Sequence, residues 1–250
     1  DALPIYFYIL DTILYDEVEE SGICDFNIVK MNSAKFDGIY KAIHRRDYPL
    51  RFEKLKNKRV ILWAPSHGIR HSNVDDCTFD IYAKTIFNWI LDNPDMGLIF
   101  RPHTTLISEL VWQGYWTAND VKILKQWCNN SDNIIYDDAE TYDDSYYVAD
   151  AVITDAICGI TYSSLAINKP VCITFRDKDK PLRFRKELLP VYETAYTQND
   201  IISFMERIQA SIDDKSAERS QIYKKIFSEL DGKNGQRIKE FIMSKYADMY

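Results

Sequence analysis

Three short stretches hold side chains able to do chemistry: Trp63-Ala-Pro-Ser66-His67-Gly68, Phe100-Arg101-Pro-His103 and Thr154-Asp155-Ala-Ile-Cys158-Gly159. An imidazole can take or give a proton near neutral pH, or donate to a phosphate oxygen. His103 and His67 are therefore the candidate catalytic groups. The proline before His103 fixes its own φ and biases Arg101 towards an extended shape, which aims the histidine. Thr154-Asp155 stands just before a helix-forming stretch whose free N–H groups suit an anion, and Gly159 permits a close backbone approach. Ser66, Arg101, Thr154, Asp155, Cys158 and Gly159 are the candidate nucleotide- or phosphate-binding residues. Each also has a plain structural reading: His67 as a turn residue, Arg101 paired with a carboxylate, Asp155 as a helix cap. His44 and His71 lie in polar stretches and read as solvated.

These residues need a scaffold, and the hydrophobic pattern supplies one. Short apolar runs at Arg59–Trp63, Gly97–Phe100, Asn133–Tyr136, Ala151–Thr154 and Val171–Thr174 read as buried strands. Between them lie helical stretches at Cys77–Leu91, Leu106–Val111, Ala118–Trp127, Tyr142–Val148 and Ile160–Ile167. Alternation of this kind predicts βαβ units and an α/β, Rossmann-like parallel sheet. Three helices follow, at Ile201–Ile212, Ala217–Leu230 and Gly235–Tyr246. The first fifty residues fit strand-helix-strand over Pro4–Ile9, Thr12–Ser21 and Phe26–Val29. The charged segment His44–Lys58 reads as an interdomain linker. All three chemistry-bearing stretches follow a strand, which puts them on the carboxyl edge where such sheets bind ligands.

The chain has 250 residues and a formal net charge of −7. That length allows one to two domains. The acidic balance excludes bulk nucleic-acid binding, which needs a basic face. No apolar run approaches the roughly 18 residues of a membrane span. Five cysteines with no CxxC pair point to reduced thiols in a cytoplasmic protein and exclude zinc-ribbon spacing. Walker, GxGxxG and GxSxG motifs are lacking. The chain begins at Asp1, which reads as a processed chain or a fragment.

Other groupings carry weaker signals. The acidic run Asp137-Asp138, Glu140, Asp143-Asp144 reads as a solvated loop before a helix. Asp177-Lys-Asp179 has the form of a DxD motif. The basic stretch Arg176–Lys186 offers Arg183 and Arg185 as contacts for an anionic substrate or lipid head groups. Trp112, Tyr115, Trp116 and Trp127 read as packing residues.

The same loops carry a resemblance. Trp63-Ala-Pro-Ser-His-Gly68, Phe100-Arg-Pro-His103, Ala149-Asp-Ala-Val-Ile-Thr-Asp155 and Asn168-Lys-Pro-Val171 resemble, in order, the CDP-glycerol glycerophosphotransferase family of teichoic-acid primases and polymerases. Ala34-Lys-Phe-Asp37 resembles the stretch joining that family's two halves, and Asp231-Gly-Lys-Asn-Gly-Gln-Arg237 its closing helix. The resemblance implies a GT-B architecture with C-terminal helices. Residues 1–45 would be a stub of the acceptor domain, 46–235 the nucleotide-binding domain and 236–250 the closing helix. It also implies a cytidine nucleotide donor (a CDP-alcohol), a polyol-phosphate or glycan-lipid acceptor, no metal or cofactor, and a place on the inner face of the membrane. His103 matches a histidine implicated in catalysis, and Asp155 the nucleotide-phosphate loop. Ala156-Ile157-Cys158 stands where the family often has two serines. A GT-B glycosyltransferase using a UDP-sugar and a non-catalytic nucleotide-binding module stay open as alternatives.

Overall fold

The computed structural model describes residues 8–10, 28–68, 77–156, 159–176, 186–227 and 230–247. Two short strands, β1 (Tyr8–Leu10) and β2 (Ile28–Lys30), pair in parallel. The helix read at Thr12–Ser21 lies outside the described residues.

Helix α1 (Lys35–Ile43) and a 3-10 turn (Leu50–Leu55) lead to β3 (Arg59–Ala64). Then come α2 (Phe79–Asp92), β4 (Met96–Phe100), α3 (Thr104–Trp112), α4 (Ala118–Asn130) and β5 (Ile134–Tyr136). The chain continues through α5 (Asp143–Val148), β6 (Ala151–Asp155), α6 (Gly159–Ser163), β7 (Val171–Thr174) and β8 (Glu193–Ala195). It closes with α7 (Gln198–Gln209), α8 (Ser216–Ile226) and α9 (Asn234–Ala247). Thr117 and Thr197 start α4 and α7 with full capping boxes, each with an Asp at the third position, which satisfies two backbone donors per helix.

The second sheet is wholly parallel, in the order β5-β4-β3-β6-β7-β8. That is the doubly wound Rossmann order, and the chain reverses direction across the sheet between β3 and β6. Continuous apolar strands are required because both faces are covered. Side chains still alternate between faces. Val60, Leu62, Ile99, Val152 and Ile173 join one core layer. Ile61, Trp63, Leu98, Phe100 and Ile153 join the other. Helices α1, α5 and α8 cover the first, and α2, α3 and α7 the second.

The segment read as a linker belongs to this core, since Phe52 and Leu55 are fully buried in it. Those two fill the layer, while most of the segment's charged residues are exposed. The far end is tied in as well. Asp37 of α1 accepts bonds from the backbone N–H groups of Asn234 and Gly235, both at 2.8 Å. It thereby caps α9.

Candidate functional site

A cleft of about 600 Å³ opens along the carboxyl edge of β3, β4 and β5. Ala64-Pro-Ser66 enters it from β3, Arg101-Pro-His103-Thr104 from β4, Tyr136–Glu140 from β5, and Gly159-Ile160 from the start of α6. Of the predicted site residues, Ser66, Arg101, His103 and Gly159 line it. Strand register explains the assembly. Trp63 pairs with Phe100, and Phe100 with Tyr136, so three loops leave the sheet at one level.

His103 caps α3. Its own backbone N–H donates to the Pro65 carbonyl at 2.9 Å, and its Nδ1 accepts from the Thr105 N–H at 3.2 Å. An accepting Nδ1 carries no proton, so the neutral ring carries its proton on Nε2. His103 is therefore set up as an Nε2–H donor. The His67 ring stacks on it, with centroids 4.6 Å apart and planes 20° apart. Partial burial pushes the His103 pKa down from its ordinary value, and the like charge of His67 adds to this. The neutral donor form is favoured. His67 stays exposed. Gly68, at φ 92°, donates its N–H to Glu109 of α3 at 2.8 Å, so the β3 loop and α3 are fastened together.

Arg101 faces the cleft but is already paired. It donates to Asp137 and to the Ala139 carbonyl, both at 2.7 Å, and its guanidinium lies 5.0 Å from the Tyr142 ring centroid. The acidic run is thus not a simple solvated loop. Asp137 is buried and also accepts from Arg51 at 3.0 Å and from Ser145. Asp138 and Glu140 are exposed, and Asp138 pairs with Lys125 at 2.7 Å. The Arg101–Asp137 pair escapes a linear reading because its members are 36 residues apart. The Phe100–Tyr136 register sets them side by side.

Thr154 and Asp155 do not reach the cleft. Both are fully buried. Thr154 Oγ1 donates to the Ala64 carbonyl at 2.9 Å. Asp155 accepts from the Ser66 N–H at 2.6 Å, the Thr78 N–H at 3.1 Å, Thr78 Oγ1 at 2.6 Å and Thr174 Oγ1 at 2.8 Å. Burial, the largest effect, pushes its pKa up against those four donors. Asp155 joins the ends of β3, β6 and β7 to the start of α2 from beneath the cleft. It ends a strand and not a loop, so phosphate contact is replaced by an internal tie.

Cys158, Arg183, Arg185, His71 and Asp177-Lys-Asp179 lie outside the described residues. Arg176 pairs with Asp80. Trp116 and Trp127 pack on Phe79 and Phe87 as expected, whereas Trp112 is 85% exposed. Among the described residues no group of three or more His, Cys, Asp or Glu side chains is placed to hold a metal. No helix there is long and apolar enough to cross a membrane.

No protein-family model and no curated protein sequence matches this chain. Solved structures do. The wall teichoic acid polymerase TagF superposes with a TM-score of 0.67 at 14% identity, covering 97% of this chain and 58% of that one. A structure of S. aureus MnaA with UDP gives 0.62 at 14%, covering 96% and 60%. Methanocaldococcus jannaschii UDP-GlcNAc 2-epimerase with UDP-GlcNAc and UDP gives 0.52 at 16%, covering 86% and 59%. The chain thus spans less than two thirds of the length of each. At these identities the likeness concerns architecture: the chain has an α/β, GT-B-like fold, with a parallel six-stranded Rossmann-like sheet flanked by helices.

Proposed function

We propose that this chain is the donor-binding part of a GT-B-type transferase, and that its cleft holds a cytidine diphosphate-alcohol such as CDP-glycerol or CDP-ribitol. The observation that carries the reading is His103, held as a neutral Nε2–H donor in a cleft beside the sheet's switch point. The fold shared with TagF, and with two neighbours seen with UDP, supports a nucleotide there. The motif resemblance favours cytidine.

In the proposed reaction an acceptor hydroxyl oxygen attacks the β-phosphorus. A new P–O bond forms, the bond to the bridging oxygen breaks, CMP leaves with that electron pair, and the hydroxyl proton passes to solvent water at the cleft mouth. Charge builds on the phosphate oxygens, and a fixed N–H donor stabilises it without reorganisation. His103 fits that role better than the role of base, because its free nitrogen already carries the proton. We place the acceptor, a polyol phosphate or glycan-lipid, on the open side of the cleft, as a peripheral enzyme at the inner membrane face requires.

Calorimetry with CMP, CDP and UDP tests the donor assignment. Cytidine nucleotides are expected to bind best; no cytidine binding removes the reading, and a preference for UDP turns it into a UDP-sugar glycosyltransferase. His103→Asn in the full-length protein separates chemistry from structure, since the amide oxygen can still cap α3. Transfer is expected to fall by about a hundredfold, the usual loss for one such donor, at a nearly unchanged melting temperature. Unchanged transfer would favour a non-catalytic binding module, a reading that the missing loop serines support.

A further inference from the structure

A dianionic ligand needs a cation, and the cleft wall offers few that are free. Arg101 is committed to Asp137, and Lys125 to Asp138. His103 is held neutral by its surroundings. Glu140 adds a further negative charge to the wall. The described wall therefore has no surplus of positive charge for phosphate.

Lys35 lies beside two of the residues that line the cleft, Tyr142 and Gly159. It comes from α1, outside the strand-following loops. Its Nζ sits 5.0 Å from the Tyr142 ring centroid, on a ring that also receives Arg101. A methyl group added at Gly159 would come within 3.7 Å of that nitrogen. Tyr142 and Gly159 both line the cleft. Among the described residues Lys35 forms no ion pair, although Asp143 feels its charge. A lysine at the first position of a helix also opposes the helix dipole, so it is not there to stabilise α1. Gly159 puts no side chain between the ammonium and its own backbone.

We propose that Lys35 supplies the countercharge for a phosphate group of the cleft's ligand, a nucleoside diphosphate. This inference rests on the donor-binding reading above. It makes Lys35 a determinant of charge, selecting phosphorylated ligands over the bare nucleoside.

Calorimetry on the wild-type chain, Lys35→Gln and Lys35→Arg, each with CDP and with cytidine, tests it. Losing one charge-assisted contact at an exposed position should weaken CDP by about tenfold. Cytidine should bind all three proteins alike, and Lys35→Arg should keep most of the CDP affinity. Equal loss of both ligands in Lys35→Gln, or loss of neither, overturns the proposal while leaving the donor reading intact. A wild-type chain that binds no CDP overturns both together. Melting temperatures check that the exposed substitutions leave the fold unchanged.

Discussion

Asp137 and Asp155 sit at the carboxyl ends of two strands of one sheet, and both are buried. They solve the same problem in opposite ways. Asp137 is met by two guanidinium groups and a hydroxyl. Among the described residues Asp155 has no cation partner and is met by backbone N–H groups and threonine hydroxyls. A cation offsets the cost of dehydrating a carboxylate directly, whereas neutral dipoles do so only by surrounding it closely. The charged arrangement leaves Arg101 at the cleft wall, while the neutral one stays beneath it. One carboxylate thus helps form the cleft wall, and the other fixes the ground on which that wall stands.

Removing Asp155 should do the most damage. Asp155→Ala strands several buried donors at once, and at roughly 1–3 kcal/mol for each unsatisfied group the loss should reach about 4 kcal/mol. Urea denaturation measures it; a loss below about 1 kcal/mol would mean that water readily replaces the carboxylate. Arg101→Met comes next, because it leaves Asp137 with Arg51 as its remaining cation. About 3 kcal/mol is expected, with Arg101→Lys in between. If Arg101→Met proved neutral, Arg51 alone would suffice and the contrast between the two sites would narrow.

The smallest effect lies in pH. Below about 3.8, the ordinary value for the group, folded and unfolded chains both hold the Asp155 proton. Above it the unfolded chain releases the proton while the folded chain retains it. Stability from this group therefore declines as pH rises, by at most about 1.4 kcal/mol per unit, until the folded group ionises. Asp155→Asn, which imitates the protonated acid, should lack that decline as pH rises above about 4. Identical slopes in the two proteins would remove Asp155 as the source.

Much of this scaffold was open to reading from the chain alone. Buried parallel strands must be short apolar runs, and Val171–Thr174 is found where it was expected. Strand β8 was missed because Glu193-Thr-Ala195 has a single buried residue and no apolar run. The clustering of Ser66, Arg101, His103 and Gly159 followed from their positions after strands. Their roles did not. Whether an aspartate after a strand meets ligand or protein depends on its cross-strand neighbour, here Thr174 opposite Asp155. Lys35 stands out in the sequence only as part of a motif, because nothing local shows α1 folding back towards α5. The buried Phe52 and Leu55 were hidden among charged residues that mark the surface of the same short turn.

The clasp between Asp37 and the start of α9 joins residues 197 positions apart. Closing so long a loop costs entropy before the contact returns anything, and contacts of this span form late in folding. The Asn234 and Gly235 amides should therefore exchange with solvent at a rate set by opening of the closing helix, not of the sheet. A hydrogen-exchange measurement at those two positions would report how often the two ends of the described domain part company.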